Sequence, residues 1–422
     1  MTHFSYCFRY ILSLTLLIGV WSVASATDWP QFLGPTIDGH VPAECNPPMQ
    51  WSETENVVWK TPIHDLGWSS PVIEKGQIWM TTATEDGKKL FAVCVDKTSG
   101  KIVHDIQVFD VASPQSRNAT NSYASPTPVI EEGRVYVFYG YAGLACLDTA
   151  TGQTIWSRRD FVCDHHLNGA GSSPILYENL LIFHVDGTDV QYIAAVDRKT
   201  SQTVWKTLRA FDYGNTVIDG RKAYGTPLLV KYGGKDYLVS CAPQEGYAYD
   251  PATGQERWHI TYKGGYSNTA VPNFWNGNVV LNTGFTKAKY LCFPLESQGK
   301  VAEESIRWTF DKNVPLCTTA VVVGNALYFC DGKGVATCLN LETGEAHWSQ
   351  RFGGTFWASP IVVKNRIYFF DDKETATIIE ANTKECRVLR KNKLESGCMA
   401  TPAVSGNRFY IRTKTHLYCI GR

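Results

Sequence analysis

Eight times along this chain a short segment opens on Pro, or on a small apolar stand-in, runs into an apolar strand and then meets a Gly/Asn turn. The opening positions are Pro71, Pro128, Pro174, Pro227, Pro272, Ala320, Pro360 and Pro402. Pro71 and Pro402 lie 331 residues apart in seven steps, a period of about 47. Short strands repeating at 40 to 50 residues are the signature of propeller blades, each of which needs its neighbours to bury its faces.

Further landmarks keep the same spacing. Just past each opening strand stands Gly76, Gly133, Asn179, Gly233, Gly277, Asn325, Asn365 or Asn407, residue types that tolerate the positive φ of a tight hairpin. A second turn has the form Asp-x-x-Thr/Ser-Gly, as in Asp148 to Gly152 and Asp250 to Gly254, with variants at Asp96, Asp197 and Asn340. Four residues after it come Trp156, Trp205, Trp258 and Trp348; Trp59 and Trp308 stand at the matching distance before the next opening. A wide indole can cover the seam between two blades, so all six are expected to dock blade on blade.

The ring should close on itself. Glu55 to Lys60 reads as an outer strand with no inner strands before it, while Leu417 to Ile420 ends the chain after a third strand. Together they complete one blade and remove two free sheet edges. The expected fold is all-β: one eight-bladed propeller of four-stranded antiparallel blades over 52–422. An N-terminal extended segment, 27–51, precedes it.

Residues 1–26 read as a cleavable export signal. Arg9 precedes an apolar run from Ile11 to Val23, and Ala24-Ser25-Ala26 offers a small-residue cleavage pattern with no lipid-attachment Cys behind it. A periplasmic or secreted monomer with no stable membrane insertion is expected. The 40 basic residues balance the 40 acidic ones without a basic, aromatic-laced cluster, which argues against nucleic acid as a partner. Twelve Cys remain after the signal. Cys94, Cys146, Cys292, Cys338 and Cys419 share one position of the third strand with Ala195 and Ala248, so they read as small core residues too far apart to bridge. Cys317 with Cys330 is the one pair nominated as a disulfide.

These motifs resemble the repeats of pyrroloquinoline-quinone-type eight-bladed propellers over essentially 52–422. The opening Asp28-Trp29-Pro30-Gln31-Phe32-Leu33-Gly34-Pro35, with Val185 to Asp189 and Thr413 to Tyr418, looks like a secreted propeller group of planctomycete bacteria. The resemblance implies one of two activities. Quinoprotein dehydrogenases of this type hold the quinone in the central funnel beside a vicinal disulfide and a calcium ion; this chain has no Cys-Cys pair and offers no assignable calcium ligands. The other branch is non-catalytic and resembles, more distantly, the propeller lipoprotein of the outer-membrane assembly machine. The expectation is a binding or scaffolding module for envelope proteins or small-molecule and carbohydrate ligands, with no resident cofactor, metal or catalytic residue. A quinone-dependent alcohol or aldose dehydrogenase is the alternative.

Loops leading into the first strands surround one end of the channel, where propellers place ligands. Three positions before each opening stand Trp68, Ser125, Gly171, Tyr224, Thr269, Cys317, Trp357 and Met399. Trp68, Tyr224, Trp357 and Met399, with His165 and Asn168 from a long loop, are the candidate ligand-binding residues. The aromatics could stack on a sugar or a quinone, or plug the channel. Asp164, His165, His166, His184 and Asp186 could suggest a metal, but adjacent His side chains diverge on an extended chain and a structural role is expected. Asp212, Arg221 and Lys222 are read as solvated rim charges.

Overall fold

The computed structural model describes Met1, residues 28–209 and residues 211–422. The expected export signal, apart from Met1, lies outside the described residues. From channel to rim, blade 1 comprises Val72–Glu74, Gln77–Ala83, Lys89–Asp96 and Ile102–Asp110. The same order recurs in blades opening at Val129, Ile175, Leu228, Asn273, Val321, Ile361 and Ala403. Blade 8 takes its outer strand from the other end of the chain. Val57–Pro62 pairs antiparallel with His416–Ile420, Trp59 opposite Cys419 and Thr61 opposite Leu417. The molecule is an all-β, eight-bladed propeller closed by hydrogen bonds between its two ends.

Burial explains the sequence texture. Second strands such as Leu180–Asp186 are buried along their whole length between neighbouring blades, so they read as near-continuous apolar runs. Outer strands such as Thr154–Arg158 face solvent and carry polar residues. The core is a set of seams: Val72, Trp79 and Cys94 of blade 1 pack with Ile130, Val135 and Tyr139 of blade 2.

Two sets of hydrogen bonds fasten each seam. At the rim, all six tryptophans reach across to the next blade. The indole N–H of Trp59 donates to Lys97 O (3.2 Å), Trp156 to Arg198 O (3.1 Å), Trp205 to Pro251 O (3.2 Å), Trp258 to Leu295 O (2.7 Å), Trp308 to Leu341 O (2.8 Å) and Trp348 to Asn382 O (2.8 Å). Most of these acceptors belong to the Asp-x-x-Thr-Gly turn. Its Asp holds it shut: Asp148 Oδ1 accepts from the backbone of Ala150 and Thr151 and from Thr151 Oγ1. Its Gly is required twice over. Gly254 has φ of 70°, and a Cβ there would lie 2.5 Å from the Trp205 ring.

At the channel wall, hydroxyls just before the opening residues form a relay. Backbone N–H groups of Ser70, Thr127 and Ser173 donate to Thr127, Ser173 and Thr226 hydroxyls at 2.9, 2.9 and 3.1 Å. The relay resumes from Val271 to Thr319 (3.0 Å), Thr319 to Ser359 (3.0 Å) and Ser359 to Thr401 (2.9 Å). At the closing seam Arg412 takes over. Its Nη1 donates to Ser69 O, Ser69 Oγ and Thr81 O, all neutral acceptors, and burial pulls its pKa down to about 9.

Two sequence expectations need correction. In four inner hairpins the positive φ falls one residue before the Asn, at Glu178, Gly324, Lys364 and Gly406. The Asn side chains are thereby freed to bond neighbours, as when Asn325 Oδ1 accepts from Trp275 Nε1 and Asn407 Oδ1 from Asn46 N. Cys317 and Cys330 are both free thiols. Cys330 is packed between blades 6 and 7 against Phe356 and Phe369, whereas Cys317 lines the channel, so the two face different compartments.

The segment 28–51 is a strap across the channel end opposite the blade-opening residues. It pairs Trp29 with Ile73, bonds Ile130 N through Pro30 O, buries Leu33 and Ile37 among blades 3 and 4, and pairs around Val362 through Gly39 and Val41. His40 Nε2 meets Val322 O at 2.7 Å, and Trp51 stacks on Tyr368. Leu33, Gly34, Ile37 and Gly39 all have positive φ, between 58° and 84°. A β-branched residue such as Ile37 accepts that conformation only where the surroundings over-determine it.

Candidate ligand-binding funnel

All eight residues that stand three positions before the blade openings line one cavity of about 970 Å³. The hydroxyl relay lies just beneath them, contributing Ser70, Thr127, Ser173, Ser359 and Thr401 to the wall, and Phe32 of the strap reaches the same space. The channel is thus a funnel with one wide mouth and a strap across its far end.

Each candidate residue has a definite place. Trp68 lines the mouth with its edge fixed, its indole N–H donating to Thr120 O at 3.1 Å. Trp357 also lines it, and among the described residues its indole N–H has no partner. Met399 and Asn168 border the same space. Tyr224 is 7% exposed; its hydroxyl donates to His165 O (3.3 Å), and burial raises its pKa.

His165 stands behind this wall. It is buried between Tyr141 and Tyr224, its Nε2 is 3.6 Å from Cys163 Sγ, and burial pushes its pKa down to about 4. A neutral imidazole beside a thiol whose pKa burial raises is packing, with no nucleophile to activate. His166 projects toward Asp219 (3.9 Å). Lys222 is no solvated rim charge: it is fully buried, donating to His166 O (2.7 Å) and Asp219 Oδ1 (2.6 Å), and so ties together the loops before blades 3 and 4.

His184 and Asp186 belong to a buried network below the mouth. Arg209 donates to both Asp186 oxygens (2.7 and 2.9 Å) and to Ser240 Oγ (2.9 Å). Ser240 in turn donates to His184 Nε2 (2.9 Å), whose Nδ1–H donates to Gly225 O (2.7 Å). This chain of donors needs His184 neutral, and burial beside Arg209 holds its pKa well below the usual range. Among the described residues no group of three or more His, Cys, Asp or Glu could hold a metal ion.

Sequence reasoning missed part of the lining. Beside blade 5 lies a small two-stranded ribbon, Gly265–Tyr266 from the segment leading into the blade paired with Phe285–Thr286 from the loop after its second strand, that brings Phe285 (45% exposed), Tyr266 and Lys287 to the cavity. Asp311 and Lys333 join them from neighbouring loops. The only signal was the longer spacing between the second and third strands of that blade.

The family model described as outer membrane protein assembly factor BamB matches residues 53–304 and 299–416. The chain belongs to this family. Among curated proteins, quinoprotein ethanol dehydrogenase of Pseudomonas aeruginosa is 29% identical over 176 residues, which is 38% of this chain and 26% of that enzyme. Among solved structures, quinohemoprotein alcohol dehydrogenase from Comamonas testosteroni superposes with a TM-score of 0.65 at 11% identity, covering 94% of this chain and 81% of that one. BamB from Moraxella catarrhalis gives 0.55 at 18% identity, covering 78% and 94%. These likenesses establish the fold, which a dehydrogenase and an assembly factor share.

Proposed function

We propose that this chain is an exported, non-catalytic propeller whose funnel binds a ligand at the cell envelope. The observation that carries the reading is the convergence of all eight residues that stand three positions before the blade openings, with Trp68, Tyr224 and Trp357 among them, on one cavity of about 970 Å³ crossed at its far end by the strap. A large concave site with a few convergent polar groups is the form a ligand site takes. The export signal read in the sequence and the family's description support the envelope as the location. No helix among the described residues is long and apolar enough to cross a membrane.

The likeness to quinoprotein dehydrogenases raises a second reading, an alcohol or aldose oxidoreductase. The lining residues do not fit pyrroloquinoline quinone. That quinone carries three carboxylates, and the lining offers Lys287 and Lys333 against Asp219, Asp311 and Asp331, with no Arg. Asp219 is paired with buried Lys222 and the other two Asp balance the two Lys, so an entering trianion meets no net positive charge to offset its lost solvation. The test is to add quinone and calcium to the purified chain and measure dye reduction with alcohols and aldoses. The binding reading expects no turnover above the protein-free blank; quinone-dependent reduction would overturn it.

A further inference from the structure

We propose that the ligand class of this funnel is a neutral carbohydrate, bound by its chain end. This inference rests on the reading of the funnel as a binding site and narrows it by the chemistry of the lining. Aromatic faces are plentiful there, aliphatic side chains are few, and the polar groups are mostly amides and hydroxyls. A lipid or an apolar peptide anchor would find little aliphatic wall to bury against. A sugar ring needs the arrangement present: a flat aromatic face for its C–H side and donors and acceptors around its rim for the hydroxyls.

Four of the polar side chains are also free. Trp357 presents both its face and an unpartnered indole N–H. Asp311, Lys287 and Lys333 have no side-chain partner among the described residues. A carboxylate accepts two hydroxyls and an ammonium donates to several, so these three suit a polyol without selecting an ion. Across the mouth Trp68 is pinned edge-on by Thr120 O, which fixes its ring as a platform. Preorganised rings lower the ordering cost of binding. The strap adds a restriction. Phe32 reaches the cavity from the far end, so a polymer cannot thread the channel and must enter by a terminus or as a short oligomer.

The test uses the full chain and intrinsic tryptophan fluorescence, confirmed by calorimetry. Three sets of probes are titrated: short neutral glucan, xylan and mannan fragments; the quinone with calcium; and mixed extended peptides. Saturable binding of at least one saccharide is expected. Trp357→Ala and Trp68→Ala should each weaken it about tenfold or more, while Trp357→Phe, which keeps a stacking face, should recover most of the loss. Thermal melts of the variants identify any that fail to fold, in which case Lys287→Ala and Asp311→Asn at the open rim carry the comparison. Peptide or quinone binding that depends on the same tryptophans, with every saccharide silent, would overturn the carbohydrate assignment and leave the binding funnel standing. Silence of all three sets would overturn both.

Discussion

Single residues carry more of this structure than their types suggest. His165 and His184 stand in the sequence near carboxylates that could suggest a metal, with a structural role expected; folded, both are buried neutral donors and acceptors. The energetic consequence has a definite sign. An unfolded His takes up a proton as pH falls below about 6.5, whereas His165 resists until about 4 and His184 until well below its ordinary value. The unfolded state binds more protons across that window, so stability is whole above about pH 6.5 and falls as pH drops. His165 alone would cost about 3 kcal/mol by pH 4. Urea midpoints should therefore fall between pH 7 and pH 5, and His184→Gln should make the fall shallower. Midpoints independent of pH across that range would contradict the burial of both imidazoles as neutral groups.

At the scale of elements, the repeat turn explains what was legible and what was not. Asp-x-x-Thr-Gly and the Trp four residues later could be read from spacing because each serves one local need: an Asx-type turn, and a ring that covers a seam. What spacing could not show is that they are one device across two blades, in which the Trp of one blade lies on the Gly of the next. Gly254→Ala tests this. It forces a Cβ into the left-handed region and into the Trp205 ring, so a loss of about 2 kcal/mol or more in thermal or urea unfolding is expected. A neutral result would show that the turn and the ring are independent. The strap and the two-stranded ribbon beside blade 5 were hidden for the complementary reason. They lie outside the period, and a segment whose partners are spread over at least seven blades leaves no repeating pattern in its own residues. Phe32 and Leu33 are neighbours in one short motif, but nothing local tells that one reaches the cavity and the other packs among blades 3 and 4. The same limit applies to Lys222, whose burial is set by Asp219 and His166 and not by its type.

The whole molecule is a circle, and its site exists only because the circle closes. Eight equivalent positions reach one cavity when eight blades surround one axis; with a blade missing or the ends apart, Trp68 of blade 1 and Met399 before blade 8 would no longer share a wall. Period and count gave this architecture from the sequence, since a ring of like units is a long-range arrangement dictated by a short-range repeat. The chemistry of the cavity was less legible, because Asp311, Lys287 and Lys333 reach it from loops of no common pattern. Closure itself rests on the pairing of Val57–Pro62 with His416–Ile420 and on Arg412 at the seam. Hydrogen exchange of the full chain measures this pairing directly. The amides of 57–62 that bond to 416–420 should be protected to the level of the other blades' outer strands; exchange there at the rate of an unstructured peptide, with the remaining blades still protected, would contradict the closed ring and the funnel it forms.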